Sequence, residues 1–243
     1  EQSLRNYILT EHSLVSTNVK CLTVDNSGTI WIGFYGDGLF YSKDNLKTLH
    51  PYLSPVDNEE TYNDDVVSKI VLGAYNCLYI SSLKGGVKEL NLTSGKLRDL
   101  LLKDENNEAI YCRTLLVYTD NELWIGTESG VYIYNLRTEK YTHLRSSEYD
   151  PYSLSDNAIY SFCKDREDGI WIGSYFGGVN YYPRSYTYFE KYYPKGIENS
   201  LHGKRVREFC RDSQGILWIG TEDGGLNRFN LKTKDFSFFA PSA

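Results

Sequence analysis

Three observations predict an all-β chain built of repeated four-stranded units. One nine-residue motif, Trp-Ile-Gly-Thr-Glu-Asp-Gly-Gly-Leu from Trp218 to Leu226, recurs from Trp31 to Leu39 and from Trp171 to Val179. A copy one loop residue shorter runs from Trp124 to Val131, and a degenerate copy from Tyr79 to Val87 has Tyr in the Trp position. The anchors stand at 31, 79, 124, 171 and 218, in steps of 48, 45, 47 and 47 residues, and a fixed period in this range marks a repeat architecture. The 22 Tyr, ten Phe and four Trp suit strands, where aromatic rings pack well on a pleated surface. Short apolar runs separated by turn residues at regular spacing complete the signature of an all-β chain.

In the last repeat, strand a is expected at residues 205–211, b at 216–220, c at 225–229 and d at 235–239. The a–b turn, Asp212-Ser-Gln-Gly215, has counterparts at 25–28 and 165–169. An Asp that opens such a turn bonds the backbone ahead of it, and Gly supplies the positive φ of a tight hairpin. The regularly placed aspartates therefore read as turn formers, not as catalysts. The pairs Gly85-Gly86, Gly177-Gly178 and Gly224-Gly225 precede strand c. A phosphate-cradling loop would lead into a helix, so these glycines read as a sharp chain reversal. The outer d strands are expected at 47–50, 96–101, 140–144, 186–192 and 235–239.

Four-stranded units at this period are the blades of a β-propeller. Five are expected, at 19–50, 66–101, 112–144, 158–193 and 205–239. The strand-b Trp is expected to wedge between neighbouring blades and bury a large apolar surface. Residues 1–18, with the strand-like Tyr7–Leu9, read as the outer strand and lead-in loop of a preceding repeat. The chain is thus expected to be an excerpt of a larger seven- or eight-bladed or double propeller. The absence of any Met likewise reads as a processed or excised piece.

Bulk composition excludes little. The chain has 243 residues, 41% of them hydrophobic and 24% charged, as in an ordinary folded domain. A net charge of −6 and scattered basic residues argue against nucleic-acid contact, which wants a basic face. No run approaches the roughly 20 apolar residues of a membrane-spanning helix. The five Cys, at 21, 77, 112, 163 and 210, have no CxxC spacing and read as small buried strand residues, not as a disulfide or zinc framework. No metal or other cofactor is expected.

The pattern Asp-x-x-Gly-x-[Ile/Leu]-Trp-Ile-Gly-[Thr/Ser]-x-x-Gly-Gly-[Leu/Val]-x-x-[Tyr/Phe] resembles the two-component regulator propeller repeat of Bacteroides-type hybrid sensor histidine kinases. Residues 205–230 fit it best, whereas the Tyr79 copy lacks both the Trp and the following Gly. The resemblance implies a periplasmic, ligand-sensing segment with no catalysis of its own, the extracytoplasmic part of an inner-membrane protein. Its implied partners are an oligosaccharide and the remainder of a parent sensor chain that carries the membrane anchor and the kinase; separately, the surplus strand near Tyr7–Leu9 and the exposed ends of the array could pair with a second copy in a homodimer. Binding would be relayed to transcriptional control of glycan use.

Propellers commonly bind ligands on the face made by their b–c and d–a loops. An oligosaccharide needs aromatic faces for its C–H patches and polar groups for its hydroxyls. The b–c loops supply Tyr35, Asp37, Lys84, Glu128, Tyr175, Phe176, Glu222 and Asp223, and the strand-a starts add Arg113, Arg205 and Arg207. Tyr175 and Phe176 lead this set, as adjacent aromatics in an exposed loop. Two other readings stay open. One is a protein-binding scaffold, which an unpaired strand edge would serve. The other is a propeller glycosidase or lyase using acids such as Glu222 and Asp223. Against the enzyme, the Asp–Gly spacing is one residue longer than a sialidase Asp box, and His12, His50, His143 and His202 follow no blade pattern.

Overall fold

The computed structural model describes residues 18–52, 66–150, 152–184 and 190–239. All regular structure in them is strand. Among the described residues, no helix is long and apolar enough to cross a membrane. The strands are β1 (Val19–Val24), β2 (Ile30–Phe34), β3 (Leu39–Ser42) and β4 (His50–Pro51); β5 (Val67–Leu72), β6 (Cys77–Ser82), β7 (Val87–Asn91) and β8 (Leu97–Leu101); β9 (Cys112–Thr119), β10 (Glu122–Thr127), β11 (Gly130–Asn135) and β12 (Lys140–Leu144). They continue with β13 (Ile159–Lys164), β14 (Ile170–Ser174) and β15 (Val179–Tyr182), then β16 (Val206–Arg211), β17 (Ile216–Thr221), β18 (Gly225–Asn230) and β19 (Phe236–Phe239). Each group forms one antiparallel meander in chain order, so the repeats are the blades of an all-β propeller fold.

Two details depart from expectation. Blade 4 is three-stranded among the described residues. Of its expected outer strand, 186–189 lie outside the described residues, and 190–192 are not in a strand. In blade 1 the outer strand shrinks to His50–Pro51 because Asp44 holds the preceding residues in a loop. Its carboxylate accepts the N–H groups of Lys47 and Thr48 and the hydroxyls of Ser42 and Thr48. The expected strand Tyr7–Leu9 and the start of its lead-in loop lie outside the described residues.

The chain divides into two compact units, residues 1–146 with 154–184, and residues 147–153 with 185–243. In the first unit, blades 1 to 4 pack face to face, and β1, β5, β9 and β13 neighbour one another in turn. Trp31 and Leu39 of blade 1 cluster with Ile70, Leu78 and Ile80 of blade 2. Tyr79 does the same against Leu115, Leu123 and Ile125 of blade 3, and Trp124 against Ile159, Ile170 and Ile172 of blade 4. Alternation along each strand, with period two, delivers one face of a blade to each neighbour. Gly126, two residues after Trp124, permits the close approach. A Cβ there would stand 2.6 Å from Thr114 Cγ2 and 2.8 Å from Ile159 Cγ2.

Within the first unit the wedge expected of the strand-b Trp holds for Trp31 and Trp124, and Trp171 rests on Tyr181 of its own blade at 4.7 Å. Cys163 pairs with Trp171 across the strands and is exposed, as is Cys210 opposite Trp218. Burial was expected for both thiols. They lie on the Trp-bearing faces of blades 4 and 5, and neither Trp171 nor Trp218 belongs to a buried cluster within its unit. Cys21, Cys77 and Cys112 are buried as expected. In the second unit, blade 5 builds a small core of Leu201, Ile219 and Phe229, flanked by Leu217 and Phe236.

Candidate functional site

The two ends of a blade are built differently. At the a–b end, the turn aspartate does more than form the turn. Asp25 Oδ1 accepts the N–H groups of Ser27 and Thr29, and Oδ2 accepts the indole N–H of Trp31 at 2.9 Å. Asp165 with Trp171 (3.2 Å) and Asp212 with Trp218 (2.9 Å) repeat the arrangement. In blade 3 the turn is shorter, and Glu122 takes the indole N–H of Trp124 instead, at 2.7 Å. The carboxyls of Asp25, Asp165 and Asp212 sit below their usual range. Around Asp212 the Trp218 indole is the leading cause. Around Asp25, burial pushes the pKa up, but the hydrogen bonds from Ser27, Trp31 and the backbone outweigh it. Each carboxylate thus ties the strand-b indole to the a–b end of its own blade.

At the b–c end, every strand a opens with a β-bulge. The register shifts between Val19 and Cys21, Val67 and Lys69, Ile159 and Ser161, and Val206 and Glu208, and between the partners of Cys112 and Thr114. The bulged residues are Lys20, Ser68, Arg113, Tyr160 and Arg207. A bulge leaves one residue unpaired and re-aims its side chain, which is why bulges recur beside functional sites. Fifteen residues after each bulge stands the first residue of the b–c loop: Tyr35, Leu83, Glu128, Tyr175 and Glu222. Its N–H is tied to a carbonyl two residues before the bulge in all five blades, at 2.9–3.1 Å. The loop is also closed at its far end. Ser174 N–H and hydroxyl both bond the carbonyl of Gly178, whose φ of +74° suits only Gly without strain.

The bulge-and-loop pairs are in contact in four blades. Lys20 Nζ lies over the Tyr35 ring at 5.2 Å. Arg113 pairs with Glu128, Tyr160 stacks on Tyr175 at 5.0 Å, and Arg207 bonds Glu222 at 2.9 Å. Blades 3 and 4 join two of these pairs. The Arg113 guanidinium sits over the Tyr160 ring at 4.5 Å, and Tyr175 meets Phe176 edge-on at 4.3 Å. The result is a continuous ladder Glu128–Arg113–Tyr160–Tyr175–Phe176, ending in rings that are 58% and 87% exposed. Asp156 props its outer end by accepting the Phe176 N–H at 2.9 Å. That bond leads the causes that lower the Asp156 carboxyl.

Of the residues expected at a site, Arg113, Glu128, Tyr175 and Phe176 come together in this ladder. Tyr35 stands under Lys20, and Asp37 is half-buried in the same loop. Lys84 is exposed on blade 2. In the second unit, Arg205 and Arg207 both flank Glu222, at 3.9 and 2.9 Å. Asp223 is committed to the backbone, since its carboxylate accepts the N–H groups of Arg205 and Lys204, which hold it below the usual range. Sequence reasoning missed Tyr160, Lys20 and Ser68. Each stands eleven residues before the strand-b aromatic, as Arg113 and Arg207 do, and that offset was the available signal.

A cavity of ≈ 380 Å³ lies between blades 1 and 2, lined by Trp31, Tyr41, Lys43, Tyr52 and Leu90 among others. It is a weaker candidate. The Trp31 N–H is spent on Asp25 and the Tyr52 hydroxyl on the Gly95 carbonyl, which leaves little convergent polarity to orient a ligand. Among the described residues, no group of three His, Cys, Asp or Glu side chains is placed to hold a metal ion.

Residues 13–36, 153–176 and 200–223 match the family model described as two component regulator propeller. The match at 153–176 contains Tyr160, Tyr175 and Phe176. No curated protein matches the chain. Among solved structures, one described as the extracellular domain of the hybrid two component system BT3049 from B. thetaiotaomicron is 24% identical with a TM-score of 0.60. The alignment covers 98% of this chain and 36% of that one. Another, described as the extracellular domain of the one component system BT4673 from the same organism, is 20% identical with a TM-score of 0.58, covering 96% of this chain and 30% of that one. The likeness supports the propeller fold. The chain spans about a third of the length of these structures.

Proposed function

We propose, for a chain that carries two-component regulator propeller repeats, that it is a ligand-reading part of an extracytoplasmic, periplasmic sensor and that its ligand is an oligosaccharide. The segment contributes binding and no catalysis. Signal passes through the remainder of a parent chain, which supplies the membrane anchor and the histidine kinase, to transcriptional control of glycan use. The kinship of the repeats and the extracellular setting of the solved relatives support this assignment.

The observation that carries the reading is the ladder on blades 3 and 4. It sets two exposed rings beside a charged hydrogen-bonding pair, on loops whose backbone is pinned at both ends. Aromatic rings offer faces to sugar C–H groups, and the Arg–Glu pair offers donors and acceptors to hydroxyls. Pinned loops reduce the ordering cost of binding. Rigid blades also favour signalling by rearrangement between domains or between two copies of the sensor, over refolding within a blade. Calorimetric titration with defined plant and host oligosaccharides tests the proposal. Saturable binding that falls at least about tenfold in Tyr175→Ala/Phe176→Ala is the expected result. Cleavage of a glycan, or capture of a protein through this face with no saccharide binding, would replace the sensor reading with an enzyme or a scaffold.

A further inference from the structure

We infer that the ladder of blades 3 and 4 is a subsite for an uncharged pyranose ring and discriminates against uronic or sulfated sugars. The inference rests on the saccharide reading above and concerns which class of saccharide this site accepts.

The charge arrangement carries the argument. The only cation in the ladder, Arg113, is already paired with Glu128 and laid over Tyr160 at 4.5 Å. The next acid along, Asp156, is charged and fixed within 2.9 Å of the Phe176 backbone. One cation and two anions leave the ladder with a surplus of negative charge. An acidic sugar at the remaining donors of Arg113 would stand beside the Glu128 carboxylate and near Asp156, and one that displaced Glu128 would leave that carboxylate unpaired. Each of those changes is unfavourable, and such unpaired or like-charged juxtapositions are how sites reject a partner. An uncharged sugar meets none of them. Its hydroxyls can donate to free lone pairs of Glu128 and accept from unused N–H groups of Arg113 without breaking the ion pair, because a guanidinium has five donors and a carboxylate about four acceptor sites.

Tyr160 is a positioning residue in this scheme. Its ring lies under Arg113 and stacks with Tyr175 at 5.0 Å and 23°, so it fixes the spacing between the polar edge and the apolar wall. The bulge between Ile159 and Ser161 is what places that ring there. Without it, residue 160 would continue the strand alternation of β13.

The test is calorimetric titration of the chain with neutral gluco-, galacto-, manno- and xylo-configured oligosaccharides, each beside a uronate-bearing counterpart of the same length. The expected result is a preference for a neutral member of at least about tenfold. Glu128→Gln, which frees Arg113, should narrow that preference by about tenfold by strengthening the acidic counterpart. Tyr160→Ala should weaken the neutral ligand, and Tyr160→Phe should restore it. An acidic sugar binding as tightly as its neutral counterpart would overturn the inference and leave the sensor proposal standing. A neutral preference unmoved by Glu128→Gln would also overturn it, because selectivity would then lie elsewhere. Failure of every saccharide to bind would overturn the proposed function, and this inference with it.

Discussion

The a–b end of the blades repeats one solution, and the b–c end repeats one geometry with four kinds of side-chain pair across five copies. At the first, a carboxylate holds the strand-b indole in all four Trp blades, even where blade 3 must draw that carboxylate from Glu122 because its turn is short. At the second, the bulge and the tied loop residue keep their places in five blades, while the pairs change from Lys–Tyr to Ser–Leu, Arg–Glu, Tyr–Tyr and Arg–Glu. Repetition of identity follows from packing, which poses the same problem at each blade. Repetition of place with variation of identity is the arrangement by which rigid scaffolds carry binding residues. One end holds the fold, and the other is the end we propose to read a ligand.

Substitutions at the holding end sharpen the contrast most. Trp124, 1% exposed between blades 3 and 4, should cost about 3–5 kcal/mol on truncation to Ala, as large aromatic deletions in cores do. The same change at exposed Tyr75 should cost clearly less, and equal losses in denaturant unfolding would break the account of blade packing. Asp25→Ala should cost about 1–3 kcal/mol, because it leaves the buried indole N–H of Trp31 without its acceptor. A neutral effect there would mean that the carboxylate only shapes the turn.

Acid should act at the same end. Asp25, Asp165 and Asp212 have folded pKa values below the ordinary carboxylate value. Their contribution is therefore complete above about pH 4 and is lost as pH falls through the lowered folded values. Asp25→Asn should flatten the fall in unfolding free energy below about pH 4 and lower stability at pH 7, because its amide nitrogen cannot accept any of the N–H groups that the two carboxylate oxygens share. The smallest stability effect belongs to the reading end. Tyr175→Ala/Phe176→Ala should move unfolding by no more than about 0.5 kcal/mol, as for exposed positions generally.

Much of the holding end was legible in the sequence. Asp at the turn, Trp six residues on and the Gly pair before strand c set the strand boundaries of blade 5 to within a residue or two. The Asp–Trp bond itself was not read, although the constant six-residue offset was visible. The reading end was half legible. Its loop members stand out as polar or aromatic residues between motif positions. Its bulge members do not, because Tyr160 sits inside Ile-Tyr-Ser-Phe-Cys, where simple alternation reads as an unbroken strand. No Gly marks the bulge, and only the geometry shows the register slip. Asp223 was overvalued for the opposite reason. An acid in a loop looks available in sequence, whereas its oxygens are taken by backbone N–H groups of the neighbouring loop. Cys163 and Cys210 were misjudged because burial was inferred from strand membership, while the faces they share with Trp171 and Trp218 lie outside the packed clusters of their own units.

The most direct test of the division between the two ends measures unfolding free energy and saccharide affinity on the same two variants, Asp25→Ala and Tyr175→Ala/Phe176→Ala, beside the unaltered chain. The account predicts a crossed result. Asp25→Ala loses stability and, at a temperature where it remains folded, keeps its affinity, while the aromatic double variant keeps its stability and loses its affinity. If both variants lose both properties together, or if the aromatic variant binds as the unaltered chain does, the two ends do not divide holding from reading.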